Sequence, residues 1–261
     1  MNTTLDTTLD TTLDTTLDTN SELSLVENYS YSYSPTSESL YFFGHISILQ
    51  MIVYYFIYIM DHFLCKYYSD KARWFQLHSA ANLFVCIFCL SDIIDIVYDV
   101  NEAAMPLTNY IGGSFALQVH LYHTLNFQLT TMDIYHHVSS VFLCFPPSFI
   151  FNKKILSLFY FIGTGLPGGI DYFLLTLVKN GQFDYLREKK YNSNINTYIR
   201  MPGGAVCSFL TFSACLNNPI LIEKICGYFL SFIVFANTAF FGKMAIENHV
   251  ERVQQDKYKN K

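Results

Sequence analysis

The chain has 261 residues, of which 51% are hydrophobic, 17% aromatic and only 14% charged. Soluble domains carry about 25% charged residues, so this composition indicates a protein whose solvent is lipid. The net charge is −5 and no long basic run is interleaved with aromatic residues, which excludes the electrostatic footprint of a nucleic-acid-binding protein.

The first 40 residues differ from the rest of the chain. The tetrapeptide Thr-Thr-Leu-Asp occurs four times between Thr3 and Asp18, and a Ser- and Tyr-rich stretch follows through Ser39. The segment contains no Lys or Arg and few bulky apolar residues, so it is predicted to be a disordered low-complexity tail. It also lacks the basic start and apolar core of a secretory signal.

Beyond residue 40 the chain is a succession of apolar stretches. A bilayer core about 30 Å thick needs about 20 apolar residues in a helix. This pattern predicts an all-α, polytopic transmembrane helix bundle of about seven spans. The third and sixth are short, and six spans would remain if the sixth were re-entrant. The predicted spans are Tyr41–Leu64, Trp74–Val97, Ile111–Phe127, Ile134–Phe151, Ile155–Val178, Pro202–Leu216 and Ile220–Gly242.

Four segments follow from this pattern. Residues 1–40 form the tail, and residues 41–72 hold the first span and the loop after it. Residues 73–242 form the main membrane domain, and residues 243–261 form a basic C-terminal tail.

The basic residues predict the orientation of the spans. With seven spans, thirteen of the sixteen Lys and Arg residues fall on one side, Arg200 being counted in the loop before the sixth span. Because basic loops stay cytosolic, the N-terminus is predicted to be lumenal and the C-terminus cytosolic. Asn2 and Asn28 fit the glycosylation acceptor pattern. Residues 257–261 resemble a dilysine retrieval signal, which predicts the endoplasmic-reticulum membrane.

The densest group of polar side chains within the predicted spans runs from His120 to His137. Such groups are costly in lipid and are therefore candidates for function. His120 and His123 are three residues apart, so they are predicted to share one helix face. Asp133 precedes His136 and His137 by three and four residues, so it is predicted to reach either of them across one helical turn.

A second acidic position lies in the fifth predicted span. Asp171 and Tyr172 follow a Gly-rich stretch, residues 163–169. Histidines near carboxylates suit general acid–base catalysis, because imidazole titrates near neutral pH. The same groups could bind a metal, or they could simply hold helices together by hydrogen bonds. No residue is assigned as a metal ligand.

The stretch from Arg73 to Gly242 resembles the TLC domain family, which includes ceramide synthases and translocon-associated TRAM proteins. Three blocks carry the resemblance. Arg73-Trp74-Phe75 with His78 and Asn82 resembles the start of an early family span, residues 133–140 resemble the family's dihistidine block, and Asp171-Tyr172 resembles its second acidic position.

This resemblance implies roles for individual residues. His136 and His137 would be the acyl-handling pair of an acyltransferase, with Asp133 beside them and Asp171 as a supporting acid. Acyl-CoA would then be a substrate, and no other cofactor is implied. We expect His120, His123 and Tyr172 to line the lipid or substrate pocket. A histidine-aspartate pair that precedes the family's Asp-Tyr is replaced here by Leu166 and Pro167.

Three functions remain open at this point. The first, favoured because of Pro167, is the handling or organisation of membrane lipid without chemistry. The second is acyl transfer to a lipid amine by His136 and His137. The third is a histidine-ligated di-iron lipid hydroxylase, although the chain has only eight histidines. Membrane lipid is the predicted partner in each case, and nothing in the sequence indicates an oligomeric state.

Overall fold

A computed structural model of the chain describes residues 37–259, with side chains from Gly44 to Tyr258. The contacts divide the chain into Met1–Phe43 and Gly44–Lys261. Of the first unit, the structure describes only helical backbone from Ser37 onward, so a helix begins inside the segment predicted as tail. The rest of that tail and both glycosylation acceptors lie outside the described residues.

The second unit is a bundle of helices, as predicted. Long apolar helices account for the bundle because every backbone polar group must be satisfied within the helix where lipid replaces water. A short 3₁₀ turn, Val100–Ala104, follows the second helix. The helices are α1 (Ser37–Tyr67), α2 (Arg73–Tyr98), α3 (Ile111–Asn126), α4 (Thr131–Phe151), α5 (Ile155–Lys179), α6 (Tyr185–Leu216) and α7 (Leu221–Lys259).

Six of these helices are long and apolar enough to cross a membrane, and α3 is the exception. The sixth helix was expected to be short or re-entrant, but α6 has 32 residues and begins at Tyr185. By contrast α3 has 16 residues, which gives a length of about 24 Å. The protein is therefore a multi-pass α-helical membrane protein with six long candidate spans and one short helix between them.

Successive helices run antiparallel, so the turns gather at two ends of the bundle. At the first end, Tyr68 donates to Gln182 at 3.4 Å and the Arg73 guanidinium lies 4.8 Å from the Phe127 ring centre. At the second end, the backbone N–H of Leu107 donates to Asn152 at 3.3 Å. The two ends are connected by every helix from α2 to α7, including the short α3.

Prolines explain three wide turns inside the helices. The π-helical turns Val138–Cys144, Phe161–Gly165 and Asn196–Arg200 interrupt α4, α5 and α6. Each is followed by a helical segment with proline in its first two positions, at Pro146, Pro167 and Pro202. Proline lacks the N–H that a regular turn needs and its ring crowds the preceding carbonyl, so the helix widens just before it. All three helices continue through the interruption.

A buried carboxylate ties three helices together near the first end. Asp61 of α1 is only 2% exposed. It accepts hydrogen bonds from Arg73 Nε at 3.0 Å and from the Tyr122 hydroxyl at 2.7 Å, so it links α1 to α2 and α3. The helix α7 is continuous from Leu221 to Lys259, so the predicted boundary between residues 242 and 243 falls within it.

Candidate functional site

Four histidines of α3 and α4 pair across the bundle. His120 Nε2 lies 2.9 Å from His136 Nε2, and His123 Nδ1 lies 3.2 Å from His137 Nε2. The α3 spacing of three residues puts both partners on one face, as the sequence predicted. His136 and His137, which are consecutive in α4, contact these two histidines. Trp74 of α2 stacks on His123 at the edge of this group.

The hydrogen bonds determine which nitrogens carry protons when the rings are neutral. His120 Nδ1 lies 2.5 Å from the carbonyl of Ala116, which can only accept, so Nδ1 carries the proton. His120 Nε2 is then an acceptor, and His136 Nε2 donates to it. His136 Nδ1 is left as a lone pair, and it is buried without a hydrogen-bond partner among the described residues.

The pair formed by His123 and His137, called here the inner pair, is oriented by Thr124. Its hydroxyl donates to the carbonyl of His120 at 2.8 Å, so its oxygen accepts from His137 Nδ1 at 2.7 Å. His137 Nε2 is therefore an acceptor, and His123 Nδ1 donates to it. When the rings are neutral, the hydrogen bonds therefore allow one tautomer for each member of both pairs.

A cavity of about 240 Å³ lies beside the histidines and is called here the chamber. Residues of α2, α3, α4, α5, α6 and α7 line it. Two of the three π-helical turns contribute to its wall. The chamber is lined by His78, Asn82, His120, Met132, Asp133, His136, Gly163, Thr164, Gly168, Asp171, Tyr172, Arg200, Asn237, Phe241 and Met244.

Several polar atoms of the chamber lining lack hydrogen-bond partners. They are His78 Nε2, His136 Nδ1, Asp171 Oδ1 and Arg200 Nε, each buried and unpaired within the part of the chain that the structure describes. Buried polar groups are normally paired, so a group of four around one cavity is unusual. His78 is only 2% exposed, which leaves the chamber as the space its free nitrogen can serve.

The predicted site residues fall into two groups. His120, His136, Asp133, Asp171 and Tyr172 line the chamber directly. His123 and His137 do not line it and instead form the hydrogen-bonded pair behind it. The sequence had placed His136 and His137 in one role, whereas here only His136 offers a free nitrogen to the chamber.

The position of Asp133 corrects one expectation. Asp133 was expected to reach His136 or His137 across one turn. Its carboxylate instead accepts from the backbone N–H of Thr130 at 2.8 Å and from the Thr130 hydroxyl at 2.7 Å. The Thr130 hydroxyl in turn accepts from the Asp133 N–H, which completes a capping box. The Asp133 carboxylate therefore caps the N-terminus of α4 instead of forming a hydrogen bond with His136 or His137.

Arg200 was placed in a loop by the sequence, and the structure places it in α6 on the chamber wall. The stretch from Tyr185 to Arg200 is too polar to read as a span. Its helical character shows in the spacing of Asn192, Asn196 and Arg200, which are four residues apart and lie on one face. His78 and Asn82 were not predicted as site residues, although their spacing of four places both on one face of α2.

Metal binding has little geometric support. Among the residues from Gly44 to Tyr258, no group of three or more His, Cys, Asp or Glu side chains is arranged to hold a metal ion. The histidine nitrogens point at one another in pairs rather than at a common centre. A di-iron site needs several imidazoles and carboxylates that converge on the ions.

A separate apolar groove of about 420 Å³ lies between α1, α2 and α5. Its lining includes Leu83, Leu166, Ile170 and Phe173 and contains no Asp, Glu, His, Lys or Arg. The contact between α2 and α5 separates it from the chamber. We therefore place the candidate chemistry in the chamber, not in this larger apolar groove.

No family model matches this chain, and neither any curated protein nor any solved structure matches it. The resemblance to the TLC domain family therefore stays a prediction based on three short blocks of sequence.

Proposed function

We propose that this multi-pass membrane protein binds a membrane lipid whose polar group occupies the chamber. The observation that carries the proposal is the set of unpaired polar atoms on His78, His136, Asp171 and Arg200 around one cavity. Each buried polar group without a partner costs about 1–3 kcal/mol. A ligand with donors and acceptors would remove that cost.

The size of the chamber suits a polar headgroup. Pockets that enclose a whole drug-sized ligand measure about 300–1,000 Å³, and the chamber holds about 240 Å³. An amphiphile would therefore insert only its polar end, and its apolar tails would stay in the surrounding bilayer. The predicted handling of lipid by a TLC-type protein is consistent with this arrangement.

The test adds a side chain to the chamber at a position where its Cβ has room. Gly163 lines the chamber, and a Cβ added there would meet no atom within 4 Å. We expect the full chain with Gly163→Leu to be purified in detergent with much less bound lipid than the wild type, measured by mass spectrometry of extracted lipid. Gly44→Leu is the matched control, because Gly44 is equally open and lies away from the chamber. Equal lipid content in all three proteins would overturn the proposal.

A second candidate function is acyl transfer, with acyl-CoA as donor. The observation in its favour is the lone pair on His136 Nδ1, which lies at the chamber and can take a proton from an attacking amine or hydroxyl. His120 fixes this tautomer because its Nε2 accepts a hydrogen bond from His136 Nε2–H. The hydrogen bonds described here do not join Asp171 to either histidine of the predicted pair, so its supporting role would be electrostatic.

Lipidomics separates the two candidates. Membranes that contain the wild type are compared with membranes that contain His136→Ala, together with a labelled acyl-CoA incorporation assay. A non-enzymatic lipid-binding protein leaves the profile unchanged and incorporates no label. An acyltransferase gives a labelled lipid that disappears in the variant.

The cellular location and orientation are also proposals from the sequence. The first end of the bundle carries most of the basic residues, so the positive-inside rule places it in the cytosol, with the C-terminal residues of α7. The dilysine-like residues at 257–261 would then face the cytosolic machinery of the endoplasmic reticulum. Relocation of the full chain after Lys257→Ala and Lys259→Ala would test this, and retention of the reticulum pattern would contradict it.

A further inference from the structure

We propose that Arg200 is the residue of the chamber that binds an anion, and that the anion is a phosphate or carboxylate on the polar end of the ligand. This inference rests on the proposed function and adds the chemical class of the group that is recognised.

The hydrogen bonds of Arg200 leave most of its donors free. One terminal nitrogen donates to Asn196 Oδ1 at 3.0 Å, whereas Nε is buried and has no partner among the described residues. Within the same part of the chain, no carboxylate lies at ion-pair distance from the guanidinium. Arginine cannot lose its proton in a protein. Asp171 acts on this charge from beyond ion-pair distance, so it offsets the cost of burying the guanidinium only in part. An anion that accepts from the free donors would offset more of that cost.

The guanidinium is directed at the chamber. A Cβ added to Gly168, which lines the chamber, would lie 3.8 Å from a terminal nitrogen of Arg200. The absence of a side chain at Gly168 therefore keeps the space beside the guanidinium open. The free Nε2 of His78, which also lines the chamber, supplies a second polar atom for the same ligand.

Arg200 also lines a second polar cavity of about 390 Å³, called here the vestibule. Asp171, Arg200, Phe241 and Met244 line both cavities, so the chamber and the vestibule adjoin at these residues. The other residues of the vestibule are Asn192, Asn196, Ala245, Glu247, Asn248 and Glu251. The exposed Glu247 and Glu251 bring the vestibule to the surface of the bundle near its first end.

The charges around both cavities limit how much negative charge the anion can carry. Arg200 is the sole Lys or Arg in either lining as described, whereas Asp171, Asp133, Glu247 and Glu251 supply carboxylates. A polyanion would be repelled by these carboxylates and would bring more negative charge than one guanidinium offsets. A group with one negative charge, either a carboxylate or a singly ionised phosphate, meets less of this repulsion and still satisfies the fork of donors.

The experiment uses the single tryptophan as a reporter. Trp74 is the chain's only tryptophan, and it stacks on His123 and contacts His78 of the chamber. Its emission is measured in the full-length protein in detergent, during titration with dioleoyl phosphatidic acid, oleic acid, dioleoylglycerol or inorganic phosphate. The two anionic lipids carry the proposed group, dioleoylglycerol carries the same tails without it, and inorganic phosphate carries no tail.

Variants separate the anion site from the chamber as a whole. We expect phosphatidic acid or oleic acid to saturate the signal, and Arg200→Gln to weaken that binding about tenfold to a hundredfold, as loss of a charge-assisted hydrogen bond predicts. Arg200→Lys should retain part of the affinity. Arg187→Gln is the control, because it removes an exposed charge from the same helix.

The outcomes distinguish this inference from the proposed function. Saturation by inorganic phosphate alone would support the oxyanion site and identify a soluble source. Equal affinity for dioleoylglycerol and phosphatidic acid, or unchanged binding in Arg200→Gln, would overturn the role of Arg200 and leave lipid binding standing. An absence of response to every probe, together with lipid-free purified protein, would overturn both.

Discussion

Thr124 and His137 form a hydrogen bond of 2.7 Å that fixes the proton of the inner histidine pair. The Thr124 hydroxyl gives its own proton to the backbone of His120, so His137 must donate from Nδ1. His137 Nε2 then accepts from His123. One threonine near the end of α3 thus sets the direction of the hydrogen bond between His123 and His137.

The first prediction removes the centre of this arrangement. His137→Ala leaves the buried Nδ1–H of His123 without its acceptor. We expect the free energy of unfolding to fall by about 1–3 kcal/mol, the usual cost of an unsatisfied buried donor. The measurement is denaturant or thermal unfolding of the purified protein in detergent.

The control for this prediction is His62→Ala. His62 is an exposed histidine on α1, so its removal should change stability by less than about 0.5 kcal/mol. Equal losses in the two variants would mean that the inner pair does not hold α3 to α4.

The second prediction concerns Asp61, which the sequence did not single out. Asp61→Ala leaves Arg73 and Tyr122 without the carboxylate that they share. Loss of a buried partner costs about 3–5 kcal/mol, but the Arg73 side chain is 42% exposed and can find water. We therefore expect a loss of about 2 kcal/mol in unfolding experiments. Asp70→Ala, on the exposed turn between α1 and α2, is the control, and a similar loss there would contradict the prediction.

The helices were largely predictable from the sequence. Apolar stretches of sufficient length have one stable form in lipid, so the predicted bounds of α2, α3 and α5 differ from the observed ones by at most one residue. The start of α6 was missed because residues 185–200 are polar. This part of α6 is stabilised by contacts with other helices. For example, the Arg252 guanidinium of α7 lies 5.7 Å from the Tyr185 ring centre. Hydropathy does not report such contacts.

The site was only partly predictable. Spacing placed His120 and His123 on one face of α3, because a helix repeats every 3.6 residues. Spacing did not show that Asp133 would cap α4, since one carboxylate can serve either a backbone N–H or a side chain. Arg200 and Asp171 both line the chamber because α5 packs against α6. Such pairings between distant helices leave no local pattern in a single sequence.

The third prediction concerns alkaline pH at the second end. Lys154 donates to Asp95 at 2.7 Å and to Glu102 at 2.5 Å. The hydrogen bond that Lys154 donates to Asp95, and then the one it donates to Glu102, raises the pKa of Lys154 above the ordinary lysine value of about 10.4. Because the folded-state pKa is the higher one, this stabilisation is complete below the unfolded-state pKa and is lost as pH rises through the folded-state pKa.

We therefore expect Lys154 to have no effect on the pH dependence of the thermal unfolding midpoint of the wild type up to about pH 9. Above about pH 10.4 this midpoint should fall. Lys154→Met should lower the midpoint at neutral pH and remove this alkaline component. The exposed Lys190 provides the control variant Lys190→Met. An alkaline fall of the same size in Lys154→Met and wild type would show that Lys154 is not its source.

The fourth prediction concerns the contact between α6 and α7. A Cβ added to Gly204 would collide with the side chain of Thr238, so the two helices approach this closely only because residue 204 is glycine. Gly204→Ala should therefore destabilise the protein by about 1–3 kcal/mol, the usual cost of overpacking. Gly44→Ala is the control, because a Cβ there meets no atom within 4 Å and alanine favours the helix by up to about 1 kcal/mol.

A double variant separates collision from backbone effects. Thr238→Gly removes the hydroxyl, the methyl and the Cβ that Gly204→Ala would strike. If the collision is the cause, Gly204→Ala should cost less in the presence of Thr238→Gly than in the wild type, which gives a coupling energy between contacting residues of about 0.5–3 kcal/mol. Additive losses would instead place the effect in the helix itself, because two residues that do not collide would act independently. Thermal unfolding of the four proteins in one detergent measures the whole cycle.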